Sequence, residues 1–99
     1  MTLKEKGFDY SVRIAELVRF LREEGGGFPL DEKLLTRGVE VGLACREPEK
    51  QGTRHAADCL READYLIEMA AKAGYLSEQQ TVHIREDGRK LLEMLEEND

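Results

Sequence analysis

Apolar residues recur at helical spacing in four separate segments, and this periodicity constrains the fold more than any other feature of the chain. In the first segment the apolar stripe consists of Tyr10, Ile14, Leu17, Val18 and Leu21. Such a stripe covers one face of a helix of about 3.6 residues per turn. Three further segments carry similar stripes. The sequence therefore predicts helices at about residues 9–24, 31–46, 54–73 and 78–97.

Helix-terminating residues separate the four segments. A run of three glycines follows the first segment, Pro48 follows the second, and Gly74 follows the third. Thr53 is placed to cap the third helix, and Ser77 forms a capping-box pattern with Gln80. These signals predict short connections, which favour antiparallel packing of successive helices.

The length of the chain, 99 residues, suffices for one hydrophobic core. We therefore expect an all-α protein with a single domain over residues 1–99, arranged as an antiparallel up-down-up-down four-helix bundle. Aromatic residues make up only 6% of the sequence, so the core should be largely aliphatic.

Acidic residues outnumber basic ones by 21 to 15, which gives a net charge of −6. Proteins that bind nucleic acid through phosphate contacts usually carry an excess of Lys and Arg, so the composition disfavours this class of partner. No segment has the length and apolar character of a membrane span or a signal peptide. We expect a cytoplasmic protein with no membrane association, in which the two cysteines stay reduced.

Two glycines, Gly38 and Gly42, interrupt the second predicted helix at a spacing of four residues. Glycine inside a helix costs about 1 kcal/mol relative to alanine, so the pair needs a structural reason. Small residues at this spacing let another helix approach closely. The opposite face carries Val39 and Leu43, and we predict that these four residues form a close helix contact or an oligomer interface.

Four stretches of the chain resemble a known family: "FDYSVRIAELVRFL", "LLTRGVEVGLACRE", "EADYLIEMAAKAGYL" and "GRKLLEML". The family consists of four-helix-bundle proteins encoded in intervening sequences of bacterial 23S rRNA genes. The residues that keep its pattern are Leu34, Leu35, Gly38, Val41, Gly42, Glu47, Glu62, Tyr65, Leu66, Ile67, Gly74, Tyr75 and Leu76. Glu40 stands where the family has a serine, Ala44 stands where it has an asparagine, and the connection between the second and third helices is shorter.

The resemblance implies a homo-oligomer, with pentamers as the well-known case, and a relationship to the accessory protein of diversity-generating retroelements. That accessory protein is basic and binds a reverse transcriptase and nucleic acid. We therefore expect a non-enzymatic, homo-oligomeric binding or scaffold module. The alternative is an accessory protein that binds nucleic acid or a reverse transcriptase. A third interpretation, a winged-helix regulator, would require "TVHIREDGRKLLEML" to begin with a strand.

No metal-binding or catalytic motif stands out. His55 and Cys59 are one helical turn apart and could be grouped with Cys45, but the chain has no CxxC or HxxxH pair. The Glu-x-x-His pattern of carboxylate-bridged metals is also missing, since Gln80 precedes His83 by three residues. We expect no catalytic residue, no cofactor and no metal, and interpret the cysteines as buried thiols.

Charged residues suggest two further contacts. Arg37 and Glu62 could form a buried ion pair across a helix interface. A candidate anion-binding group surrounds the end of the second helix, although three glutamates lie beside it; its members are Arg37, Arg46, Lys50 and Arg54. Glu40 adjoins the apolar pair Val39 and Leu43, and should find a basic partner across an interface or mark the edge of that interface.

Overall fold

A computed structural model describes residues 1–47 and 49–97, except for the side chain of Lys50. Four helices account for most of this part of the chain: α1 (Leu3–Glu23), α2 (Asp31–Ala44), α3 (Lys50–Lys72) and α4 (Glu78–Glu97). Successive helices pack side by side, and α4 packs against α1 to close the bundle. The predicted all-α four-helix bundle is confirmed.

The winged-helix alternative is wrong, because the described residues form no strand and the segment "TVHIREDGRKLLEML" lies within α4. Within the same part of the chain, no helix combines the length and apolar character needed to cross a lipid bilayer.

Helix α1 begins six residues before the position expected from its apolar stripe. The backbone N–H of Glu5 donates to Thr2 Oγ1 at 3.1 Å, and the Thr2 N–H donates to the Glu5 carboxylate at 3.0 Å. This capping box satisfies two N–H groups at the start of the helix. In this first turn only Leu3 packs against the core, and it is partly buried. One apolar residue makes no stripe, so periodicity alone missed the turn.

Helix α3 begins at Lys50, so Thr53 lies inside the helix and is not its cap. Thr53 is buried. The absence of a side chain at Gly52 lets this first turn lie against the end of α2, since a Cβ there would stand 3.1 Å from the Ala44 carbonyl oxygen. The expected capping box of α4 is confirmed: the Gln80 N–H donates to Ser77 Oγ at 3.1 Å.

The core is aliphatic, as predicted. Its largest fully buried side chains come from all four helices: Ile14, Val18, Leu21, Leu34, Val41, Leu60, Ile67, Leu91 and Leu95. Burying one such side chain contributes about 1.5–3 kcal/mol. Near one end of the bundle, the aromatic rings of Phe28 and Tyr75 meet with their centroids 5.1 Å apart.

Helices α1 and α2 approach each other closely along a seam formed by Gly7, Ser11, Gly38 and Gly42. A Cβ at Gly38 would stand 2.5 Å from Ile14 Cγ2, and a Cβ at Gly42 would collide with Ser11 Oγ. The Ser11 hydroxyl donates a hydrogen bond to the Gly38 carbonyl at 2.6 Å. The two glycines of α2 therefore make room for α1. We refer to these four residues as the α1–α2 seam.

Substitution at the seam should reveal this constraint. Gly38→Ala gains about 1 kcal/mol of helix propensity but overpacks the contact with Ile14, a fault that typically costs about 1–3 kcal/mol. Gly88→Ala is the matched control, since its Cβ would meet the Tyr10 ring at 3.2 Å, where a small shift suffices. In urea denaturation at one protein concentration, Gly38→Ala should lower the free energy of unfolding more than Gly88→Ala does. The reverse order would contradict the close approach.

Candidate functional site

Four large apolar side chains are exposed on α1 and α2, and each directly follows a residue of the α1–α2 seam in sequence. Their exposed fractions lie between 41% and 59%. They are Phe8, Val12, Val39 and Leu43. We refer to this set as the α1–α2 apolar face.

The seam determines where these four side chains point. Each is rotated by about 100° from the seam residue that precedes it. In antiparallel helices facing each other, this rotation turns the side chains of both helices to the same side of the pair. Since the core residues occupy the opposite side, the four apolar residues share the outward side of α1 and α2.

The sequence pattern indicates only the α2 half of this face. Val39 and Leu43 stood out because they follow two helical glycines. Phe8 and Val12 follow Gly7 and Ser11, which have the same four-residue spacing of small side chains. That spacing on α1 is the signal that would have found them.

The predicted partners Arg37 and Glu62 are in contact, with Arg37 Nε 2.5 Å from the Glu62 carboxylate. The side chains are 29% and 53% exposed. The pair therefore lies at the surface between α2 and α3, whereas the sequence predicts a buried pair. Arg37 also donates to Glu40 Oε1 at 3.0 Å. Exposed pairs of this kind contribute little to stability, so this contact orients side chains more than it stabilises the bundle.

Glu40 lies at the centre of a polar cluster within the chain. Its Oε2 atom is 3.3 Å from His55 Nε2 and 3.2 Å from Cys59 Sγ. Burial, reinforced by the hydrogen bond to Glu40, raises the pKa of Cys59 to about 12. The thiol is therefore protonated at neutral pH and donates to the Glu40 carboxylate. Arg37 and His55 are the basic partners of Glu40 within this chain.

Three potential metal ligands thus converge among the described residues, namely Glu40, His55 and Cys59, whose donor atoms all lie within 4.8 Å of one another. From the sequence, Cys45 is the residue that could be grouped with His55 and Cys59, and no metal is expected. Cys45 is not part of the cluster. It packs against Gly7 of α1, and burial raises the pKa of its thiol to about 11.

A cavity of about 500 Å³ lies beside this cluster, between the end of α2 and the start of α3. Its lining is rich in carboxylates and comprises Glu40, Leu43, Ala44, Glu47, Glu49, Gln51, Gly52 and His55. Leu43 therefore belongs to the apolar face and also borders the cavity.

Of the candidate anion-binding residues, Arg37 and Arg46 do not share one patch. Arg37 pairs with Glu62 of α3, whereas the Arg46 guanidinium lies 5.8 Å from the ring centroid of Phe8 of α1. These two cations therefore turn to opposite sides of α2. Arg54 is exposed on the first turns of α3, and the side chain of Lys50 lies outside the described part of the structure.

A larger groove of about 640 Å³ runs between α3 and α4. Several of its charged residues bind one another: Arg85 donates to both oxygens of Asp64 at 2.9 Å and lies 3.6 Å from Glu68. Parallel bonds of this type are among the stronger side-chain contacts. Close to this pair, the Tyr10 side chain is buried against Gly88.

Comparison with known proteins establishes the fold. No protein-family model and no curated protein matches the sequence. The chain is similar to the crystal structure of a protein of unknown function from the S23 ribosomal protein family of Bacteroides thetaiotaomicron VPI-5482, with a TM-score of 0.88. The two chains are 24% identical, and the match covers 95% of this chain and 94% of the other. A shared fold does not by itself assign a function.

The buried tyrosine predicts a loss of stability at alkaline pH. Burial, with a further contribution from the charge of Asp64, raises the pKa of Tyr10 above its ordinary value of 10.0. Above that pH the unfolded chain loses the phenolic proton while the folded chain keeps it. The contribution of Tyr10 to the free energy of unfolding is complete below the pKa that it has in the unfolded chain. This contribution is lost as the pH rises towards the pKa of Tyr10 in the folded chain. The free energy of unfolding should thus fall by up to about 1.4 kcal/mol per pH unit.

Urea denaturation between pH 9 and 11, with wild type and Tyr10→Phe compared, would measure this slope. The phenylalanine variant has no phenolic proton, so its free energy of unfolding should fall less steeply over the range. Parallel pH profiles for the two proteins would contradict the assignment.

Proposed function

We propose that this protein is a non-enzymatic, homo-oligomeric four-helix-bundle protein that acts as a binding or scaffold module and self-associates through the α1–α2 apolar face. The observation that carries the proposal is the exposure of Phe8, Val12, Val39 and Leu43 on the same side of two adjacent helices. Soluble monomers rarely expose extended apolar patches, and such patches commonly mark interaction surfaces.

The surface charge makes the α1–α2 apolar face the most favourable place for a second copy of the same chain to bind. With a net charge of −6, identical chains repel one another over most of their surfaces. The α1–α2 apolar face offers uncharged side chains at its centre and the Arg46 guanidinium beside Phe8. An apolar centre bordered by polar groups is the usual composition of a protein interface.

The subunit number in this proposal follows the family resemblance. The motif pattern of α2 and α3 and the fold shared with a member of the S23 ribosomal protein family both support placing the chain in the family encoded in 23S rRNA intervening sequences. The resemblance implies pentamers, in which identical contacts between neighbours close a ring. We place such an assembly in the cytoplasm, where the free thiols Cys45 and Cys59 stay reduced.

A nucleic-acid or reverse-transcriptase partner has weaker support. Binding to phosphates requires accessible positive charge, but Arg37 pairs with two carboxylates and Arg46 turns to the other side of α2. The link to the retroelement accessory protein therefore remains a prediction from the resemblance alone.

Light scattering coupled to size-exclusion chromatography tests the proposal. Wild type should elute with a mass that is a multiple of 11.3 kDa. Val12→Glu and Val39→Glu each place a charge in the apolar face and should shift the mass towards that of a monomer. Val82→Glu is the matched control, because Val82 is 52% exposed on α4 and lies outside the face.

Circular dichroism of each variant would verify that the helices remain folded. A monomeric wild type at micromolar concentration would refute self-association. An oligomer that dissociates with Val82→Glu but survives both face substitutions would place the interface elsewhere.

A further inference from the structure

Three side chains of different chemistry present one donor atom each to a common point between α2 and α3. The atoms are Oε2 of Glu40, Nε2 of His55 and Sγ of Cys59. They supply a carboxylate oxygen, an imidazole nitrogen and a sulfur, the three ligand types that zinc accepts in proteins. His55 and Cys59 are one turn apart on α3, and Glu40 faces them from α2.

The spacing of the donor atoms fits a tetrahedral ion. With zinc–ligand distances of about 2.3 Å for sulfur and about 2.0 Å for nitrogen and oxygen, the edges of a tetrahedron are about 3.5 Å to sulfur and about 3.3 Å between nitrogen and oxygen. The observed separations are 3.6 Å from Cys59 to His55, 3.2 Å from Cys59 to Glu40 and 3.3 Å from His55 to Glu40. A single ion can reach all three atoms without a rearrangement of either helix.

We propose that Glu40, His55 and Cys59 form a Zn²⁺-binding site, with water as the fourth ligand. Soft sulfur and imidazole ligands favour Zn²⁺ over Mg²⁺ or Ca²⁺, which prefer oxygen. Zinc binding requires the thiolate, so the Cys59 proton passes to bulk water as the ion enters.

The surroundings of the cluster match those of metal sites. Arg37 donates to Glu40 Oε1 at 3.0 Å, and this contact orients the carboxylate so that Oε2 points towards His55 and Cys59. Groups that hold a ligand in this way commonly tune metal affinity by about 10- to 100-fold. Access comes from the solvent side, because His55 is 58% exposed and lines the neighbouring cavity together with Glu40.

Cobalt titration tests the site. Co²⁺ substitutes for Zn²⁺ and gives a thiolate-to-metal charge-transfer band together with visible bands of tetrahedral geometry. Wild type, reduced with a phosphine, should develop these bands to a ratio of one Co²⁺ per chain, and added Zn²⁺ should abolish them. Zn²⁺ should also raise the midpoint of thermal unfolding, since it binds the folded state.

Variants assign the ligands. Cys59→Ser keeps a hydroxyl that can donate to Glu40 but removes the sulfur, and His55→Ala changes a largely exposed position. Cys59→Ser should lose the charge-transfer band because no thiolate remains, and His55→Ala should develop it only at higher Co²⁺ concentration. Both should show a smaller thermal shift, with zinc affinity reduced by at least about tenfold. The matched controls are Cys45→Ala and His83→Ala, which remove the other cysteine and the other histidine and should bind Co²⁺ as wild type does.

Circular dichroism would establish that each variant is folded. If Cys59→Ser does not fold, His55→Ala by itself decides the outcome. Absence of stoichiometric binding in the wild type, or unchanged bands in folded His55→Ala, would overturn the proposal and leave the cluster as a hydrogen-bonded contact between α2 and α3.

Discussion

The close approach of α1 and α2 is the constraint on which the rest of the structure depends. Gly7, Gly38 and Gly42 leave no room for further side chains, and the Ser11 hydroxyl donates to the Gly38 carbonyl across the contact. The seam turns the core stripes of both helices inward. The residue after each seam position is rotated by about 100° from it. The seam therefore also turns these following side chains outward, on the same side of the helix pair. Core packing and the composition of the exposed surface are therefore coupled.

The position of α2 has a second consequence on its other side. With one flank held against α1, α2 presents Arg37 and Glu40 to α3, where Glu62, His55 and Cys59 meet them. The early start of α3 at Lys50 brings its first turns alongside the end of α2. Glu40 stands where the resembled family carries a serine, so the cluster depends on a residue that departs from that pattern.

The α1–α2 apolar face and the Glu40 cluster meet at Leu43, which is exposed and also lines the cavity beside Glu40 and His55. An assembly formed through this face would place a neighbouring subunit next to the open side of the cluster. The two proposals remain separable, because valine substitutions on the face and ligand substitutions in the cluster alter different side chains. Self-association and metal binding can therefore be tested independently of each other.

The sequence by itself determined the four helices, the aliphatic core and the cap at Ser77, because helical periodicity and capping are local properties of the chain. It also singled out Gly38 and Gly42 as a contact. Only the tertiary structure decided that Gly7 and Ser11 face these glycines, that Phe8 and Val12 extend the exposed apolar surface, and that Glu40 joins His55 and Cys59. A helical period specifies which residues share a face of one helix. The residues that meet that face are distant in sequence, and their identity depends on how the helices cross.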